Sequence, residues 1–67
     1  MNTLRLMTVM REKGVSAKRL CEEIGVSFET MQKRLKGESE FTLCEIESIS
    51  KVLSLEKEQI VLIFFNQ

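Results

Sequence analysis

The sequence predicts an all-α fold, a compact five-helix bundle with a helix-turn-helix at residues 16–37. Two kinds of signal support this fold class. Apolar residues recur at spacings of three and four, which is the period of a helix with one buried face. Serine or threonine precedes several of these segments and glycine follows three of them, as is typical of helix starts and ends. The 67 residues contain no proline and no low-complexity run, so we expect one domain over residues 1–67.

The central motif is a pair of short helices joined by a tight turn at residues 25–27. Ser16 is predicted to cap the first of them, over residues 17–24, because its hydroxyl can accept a hydrogen bond from a free backbone N–H of the first turn. Gly25 follows at the position where left-handed backbone is easiest for glycine. The apolar side chains of this helix should face the core: Leu20, Cys21 and Ile24.

The second helix of the pair is predicted over residues 28–36, with Ser27 as its cap and Gly37 closing it. Only Met31 and Leu35 are clearly apolar at helical spacing, so this helix buries a narrow stripe. The other side chains are left exposed: Phe28, Glu29, Gln32, Lys33 and Lys36. A helix-turn-helix places an exposed, cationic second helix of this kind in the major groove of DNA.

A fourth helix is predicted to begin at Leu43, because Thr42 and Glu45 have the spacing of a capping box. Phe41 and Ile46 have the spacing of a hydrophobic staple around this capping box. The helix should end near Ser54, with an inward face that comprises Leu43, Ile46, Ile49, Ser50 and Leu53.

The first and last helices complete the predicted bundle. The first, over residues 4–13, should end at Gly14 and bury Leu6, Val9 and Met10. The last should run from residue 56 or 57 to residue 64 or 65, with Ile60, Ile63 and Phe64 in the core. The other apolar side chains of the last helix then lie outside the core, and they form more apolar surface than a small monomer usually exposes. We therefore expect a two-fold homodimer joined through Val61, Leu62 and Phe65.

Charge is distributed unevenly along the chain. The totals balance, with 10 basic and 10 acidic side chains. Residues 1–37 hold eight of the basic and four of the acidic ones, whereas residues 38–67 hold two and six. Zero net charge argues weakly against a nucleic-acid partner, but the positive half contains the helix-turn-helix, which favours one.

Composition disfavours several other classes of protein. There is no histidine or tyrosine, no glycine-rich phosphate loop and no nucleophile beside a base, so we do not expect an enzyme or a small-molecule substrate. Cys21 and Cys44 have no histidine to join them as metal ligands, so we interpret both as small apolar residues and expect no metal or other cofactor. The longest apolar run, residues 60–65, is too short to span a bilayer, so we expect a cytoplasmic protein with no membrane partner.

The whole chain resembles the Cro and phage-repressor type of helix-turn-helix domain, the xenobiotic-response-element family. The residues that carry the resemblance are Leu20-Cys21, Ile24-Gly25-Val26-Ser27, Thr30-Met31 and Gly37. Residues 41–65 look like the C-terminal half of small phage-encoded members from Gram-positive bacteria. The resemblance implies a lambda-repressor-like DNA-binding domain, and a transcriptional regulator that binds operator DNA as a dimer.

Three features depart from the family pattern. The family often has glutamine at the start of the first helix of the helix-turn-helix, where it touches a phosphate, and this chain has Ala17 there. The loop after the recognition helix is often basic, but here it carries Glu38 and Glu40. Many members pair an arginine late in the first helix with a glutamate at the end of the recognition helix. The matching residues here are Met10 and Leu35, which we expect to pack together.

On this scaffold the exposed side chains of the helix-turn-helix are candidates for DNA contact. The candidates for base edges are Phe28, Glu29, Gln32 and Lys33. The candidates for phosphates are Ser16, Lys18, Arg19, Ser27, Thr30 and Lys36. Phe28 could instead fold back onto the scaffold, and Glu29 could be a solvated acid of the first turn. Arg34 could contact a phosphate or cover the core with its stem.

A second function remains open from the sequence. Zero net charge, Ala17, Glu29 and the acidic loop would suit a protein-interaction module of the same fold, such as an anti-repressor or antitoxin-like subunit, with little DNA binding.

Overall fold

A computed structural model describes residues 1–65, and all of its regular structure is helical. Five α-helices follow one another, and a π-helical turn follows the last: α1 Thr3–Lys13, α2 Ala17–Ile24, α3 Phe28–Leu35, α4 Leu43–Val52, α5 Lys57–Ile60 and the π-helical turn Val61–Phe65. No strand occurs within the described residues. The predicted all-α, five-helix fold is therefore confirmed.

Local capping explains why the helices begin where they do. Asn2, Ser16 and Ser27 each accept a hydrogen bond from a backbone N–H in the first turn of the helix that follows. At the start of α4 both bonds of the predicted capping box are present. The Thr42 N–H donates to the Glu45 carboxylate over 2.9 Å, and the Glu45 N–H donates to the Thr42 hydroxyl over 3.1 Å. The starts of α1 to α4 are thereby specified by residues within one turn of them.

Almost every element contributes at least one fully buried side chain to the core. The largest are Leu6, Leu20, Met31, Ile49, Leu53 and Ile63. Helix α2 packs against both α3 and α4 and so occupies the centre of the arrangement. Because α2 packs against α3 as well as α4, the core helps to position the second helix of the motif.

The predicted inward face of α4 was wrong at one position. Leu43 is 72% exposed, whereas Ile49 and Leu53 are fully buried. At about 100° per residue, Leu43 lies roughly 120° around the helix from Ile49, which turns it out of the core. The helix also ends at Val52, slightly before the predicted end, and Ser54 beyond it adopts a left-handed backbone with φ of 52°.

The last helix also differs from the prediction, because it changes from α to π geometry after Ile60. Ile63 is fully buried, and its carbonyl accepts a hydrogen bond of 2.6 Å from the Asn2 N–H. The turn is therefore held against the start of α1. The three side chains predicted to remain outside are exposed: Val61, Leu62 and Phe65.

Candidate nucleic-acid interface

The turn between α2 and α3 is closed by backbone hydrogen bonds. Gly25 has φ of 78°, a left-handed conformation that a residue with a Cβ rarely adopts. This conformation lets the N–H groups of Gly25 and Val26 both donate to the Cys21 carbonyl over 3.0 Å. Ser27 then returns to extended backbone and caps α3. The angle between the two helices thus depends on a glycine that the sequence places directly after α2.

Helix α3 is mounted on the scaffold by a narrow apolar stripe. Met31 is fully buried and Leu35 packs against the core. The candidate base-contacting residues lie mainly outside this stripe: Phe28, Glu29 and Lys33 are exposed, and Gln32 is half-buried. The Phe28 side chain is 49% exposed, so it is not folded into the core. The structure therefore leaves a polar and aromatic face of α3 open to a partner.

Two of the candidates for base contact face each other across one helical turn. The Lys33 ammonium lies 3.8 Å from the Glu29 carboxylate, and both side chains are more than half exposed. An exposed pair of this kind contributes little to stability, about 0–1 kcal/mol. It can therefore open without much cost when a partner approaches, and until then it neutralises charge on the exposed face of α3.

Hydroxyl groups at the two helix starts are partly engaged in capping. The Ser27 hydroxyl accepts from the Thr30 N–H over 3.1 Å and donates to the Thr30 hydroxyl over 2.9 Å. The Ser16 hydroxyl accepts from the Arg19 N–H over 3.1 Å. Thr30 and Ser16 each keep a hydroxyl proton that can be donated to a phosphate oxygen, whereas the proton of Ser27 already has an acceptor.

The basic side chains of the positive half are exposed, with one exception. Lys18, Arg19 and Lys36, which are candidates for phosphate contact, are all in solvent, and so are the acids of the loop after α3, Glu38 and Glu40. The interface is consequently mixed in charge: cations at both helices of the motif are followed by an acidic loop.

The exception is Arg34, whose side chain is only 17% exposed. Its Nε lies 3.3 Å from the Glu45 carboxylate, itself 14% exposed, although the N–H is not aligned for a hydrogen bond with it. A terminal nitrogen donates to the Glu40 carbonyl, and the guanidinium lies 5.9 Å from the centre of the Phe41 ring. Of the two roles considered for Arg34, the contacts favour packing on the scaffold.

These contacts of Arg34 were not predicted from the sequence. A local signal for its inward direction exists, since Arg34 follows the buried Met31 by three residues and so shares its side of α3. No such signal exists for its partner on α4. The capping box already gives Glu45 a role, and Glu45 lies too far along the chain from Arg34 for helical spacing to pair the two.

The two cysteines differ in environment. Cys21 is buried, and its thiol donates to the Lys18 carbonyl over 3.0 Å, in keeping with a small core residue. Cys44 is exposed and so is not part of the core. Within residues 1–65 there is no group of three or more side chains that could hold a metal ion. No helix in the same range is both long and apolar enough to cross a membrane.

A short helix fixed on its neighbour by a glycine turn and one buried methionine, with its polar face free, defines a helix-turn-helix DNA-binding domain. The family model described as Cro/C1-type HTH DNA-binding domain matches residues 5–62. The chain therefore belongs to that family, as the resemblance indicated. Neither a curated protein nor a solved structure matches it.

Proposed function

We propose that this protein is a transcriptional regulator of the Cro or repressor type, which binds a specific operator in double-stranded DNA as a homodimer. The observation that carries the proposal is the mounting of α3. Met31 fixes the helix on the core while Phe28, Glu29 and Lys33 remain exposed. Any surface helix exposes a polar face, but on a helix-turn-helix scaffold the exposed face of the second helix is the one that enters the major groove and reads base edges.

The proposal gives each exposed group a role. Base edges are contacted by Phe28, Glu29, Gln32 and Lys33, with the Phe28 ring against a thymine methyl group and the Glu29 carboxylate accepting from cytosine. Phosphates are contacted by Ser16, Lys18, Arg19, Ser27, Thr30 and Lys36. Because Ser27 already caps α3, its contribution to phosphate binding should be smaller than that of Thr30.

The homodimer rests on the apolar side chains of the last turn. A single short recognition helix needs a second half-site about one DNA turn away, and a two-fold dimer supplies it. The exposed side chains divide between two surfaces. Val61 and Leu62 line one together with the stems of Lys57 and Glu58, and Phe65 lines another beside Leu43.

Sedimentation of single variants tells these two surfaces apart. We expect Leu62→Ser or Phe65→Ser, whichever lies in the interface, to raise the dimer dissociation constant at least about tenfold, because a buried apolar side chain is lost. Leu4→Ser on α1 is the matched control, since Leu4 is exposed outside both surfaces. A protein that sediments as a monomer at about 100 μM both alone and with DNA would contradict the dimer.

Gel-shift titration with random duplex DNA at low salt tests the proposed function most cheaply. We expect non-specific binding that weakens steeply as salt is raised, because lysine and arginine displace counterions from phosphates. Complete absence of binding to any duplex would favour the second function, a protein-interaction module of the same fold. The Glu29–Lys33 pair is the specific observation on its side, because it removes net charge from the face that would meet DNA.

The proposal also includes the location and origin of the protein. It acts in the cytoplasm of a bacterium and is of phage or mobile-element origin, with residues 1–67 forming one domain. It has no enzymatic activity and no cofactor, in line with a family described by DNA binding alone.

A further inference from the structure

Helix α3 is packed on one side and bridged on the other. Its backbone packs mainly against α2, and its buried Met31 enters the core there. The side chain of Arg34, in the last turn of α3, reaches α4 at Glu45. Arg34 therefore links this end of α3 to α4.

The receiving side of this bridge is itself well anchored. Glu45 is held by its two capping hydrogen bonds with Thr42. Phe41, which lies under the guanidinium, is buried and packs edge-on against Phe64, with ring centres 5.9 Å apart and planes at 89°. Arg34 thus contacts Phe41 and Glu45, which other interactions hold in place, and also the Glu40 carbonyl. We call Arg34, Glu40, Phe41 and Glu45 the arginine clasp.

We propose that Arg34 is a positioning residue for DNA reading, which acts through the arginine clasp and does not touch DNA. It fixes the end of α3, so that the reading face meets base edges in one orientation. The inference rests on the proposed function, because orientation matters only if α3 reads bases. A phosphate contact is the competing role, but a terminal nitrogen of Arg34 donates to the Glu40 carbonyl, and its Nε lies buried beside the Glu45 carboxylate.

The test compares variants that remove the clasp with one that removes an exposed cation. Arg34→Met keeps an unbranched stem without the charge, and Glu45→Gln keeps an acceptor for the Thr42 N–H without the charge. Lys36→Met is the matched control, because Lys36 follows α3 directly but is exposed. For each protein, affinity is measured for a selected operator and for a random duplex of equal length, over a series of salt concentrations.

We expect Arg34→Met to weaken operator binding about tenfold or more, comparable with the loss of one base contact, and random-duplex binding by less than about twofold. The salt slope should stay unchanged. Lys36→Met should weaken both duplexes and reduce the slope by about 0.9 per subunit. Glu45→Gln should behave like Arg34→Met, and the double variant should be no worse than either single one.

Two outcomes would overturn the inference. Equal losses on both duplexes with a reduced slope would make Arg34 a phosphate contact, and unchanged operator binding in both clasp variants would leave it no role in reading. If Arg34→Met does not fold, Glu45→Gln decides the matter alone.

Amide chemical shifts of the free protein keep the inference separate from the proposed function. We expect Arg34→Met to move the amide signals along the whole of α3 as far as Phe28, because the helix changes its tilt. Shifts confined to the last turn would contradict the clasp even if the wild type binds DNA. If the wild type binds no duplex, the proposed function fails, and these spectra decide whether the clasp positions α3.

Discussion

Helix α3 and the C-terminal segment, residues 57–65, are mounted in the same way but expose opposite chemistry. Each is secured by one fully buried side chain, Met31 in α3 and Ile63 in the C-terminal segment. Outside that anchor, α3 shows mainly charged and amide groups beside Phe28, whereas the C-terminal segment shows mainly Val61, Leu62 and Phe65. One small core therefore presents a polar surface suited to base edges and an apolar surface suited to another protein chain.

A buried charge beside α3 should have the largest effect on stability. Met10 is buried in α1, and Leu35 at the end of α3 packs against the core. We predict that the two side chains pack together, so that Met10→Arg strands a charge and lowers the free energy of unfolding by about 3–5 kcal/mol. Adding Leu35→Glu should restore part of that loss. Urea melts of both single variants and the double variant provide the measurement, and strictly additive losses would contradict the pairing.

Cavities at the two anchors should be the next largest effect. Met31→Ala and Ile63→Ala each remove a fully buried side chain, so we expect losses of about 2–5 kcal/mol in each. The exposed neighbours provide controls, since Phe28→Ala and Leu62→Ala should change stability by less than about 1 kcal/mol in the free monomer. Denaturant melts at low protein concentration test this. A much smaller loss of stability for Ile63→Ala than for Met31→Ala would show that the two segments are not secured in the same way.

Loss of a helix cap should be smaller. Thr42→Ala at α4 and Ser27→Ala at α3 each remove a side-chain acceptor for a backbone N–H, at an expected cost of about 1 kcal/mol. Thr42→Ala should cost more than Ser27→Ala, because it also breaks the box that holds Glu45 against Arg34. Thermal melts compare the two variants with Ser39→Ala, an exposed loop position. Equal costs for Ser27 and Thr42 would show that the arginine clasp does not depend on the box.

Local signals account for what the sequence predicted well. Ser16, Gly25 and Ser27 lie within one turn of the ends they specify, and the bounds of α2 agree with the structure. The errors and omissions have non-local causes. Leu43 has the spacing of a core residue, but its direction depends on how α4 is rotated against α2. The Arg34–Glu45 contact joins separate helices across a loop, and no periodicity encodes such a pair.

The roles of the candidate DNA-contacting residues could be predicted only in part from the sequence. Their exposure on α3 follows from the narrow apolar stripe, and that much could be read from the sequence. Which of them meets a base depends on the docking angle and on side-chain rearrangement, including the opening of the Glu29–Lys33 pair. Because these depend on the partner as well as on the fold, their roles stay predictions.

The smallest expected effect is a change in the salt dependence of DNA affinity, which should differ between the two halves of the chain. Lys36 lies on the predicted DNA side and Lys57 in the C-terminal segment, and both are exposed. We expect Lys36→Gln to reduce the slope of log affinity against log salt by about 0.9 per subunit, and Lys57→Gln to leave it unchanged. Binding titrations on one duplex suffice. A slope reduced by Lys57→Gln would place the C-terminal segment against DNA and remove the contrast with α3.

The proposal that the exposed face of α3 reads base sequence can be tested by selection from a random duplex pool at about 50 mM salt, with the wild type and with Gln32→Met in parallel. We expect an enriched sequence with two inverted half-sites about one DNA turn apart, and a changed preference at one position of each half-site for Gln32→Met. Binding without enrichment, or the same preference from both proteins, would contradict it.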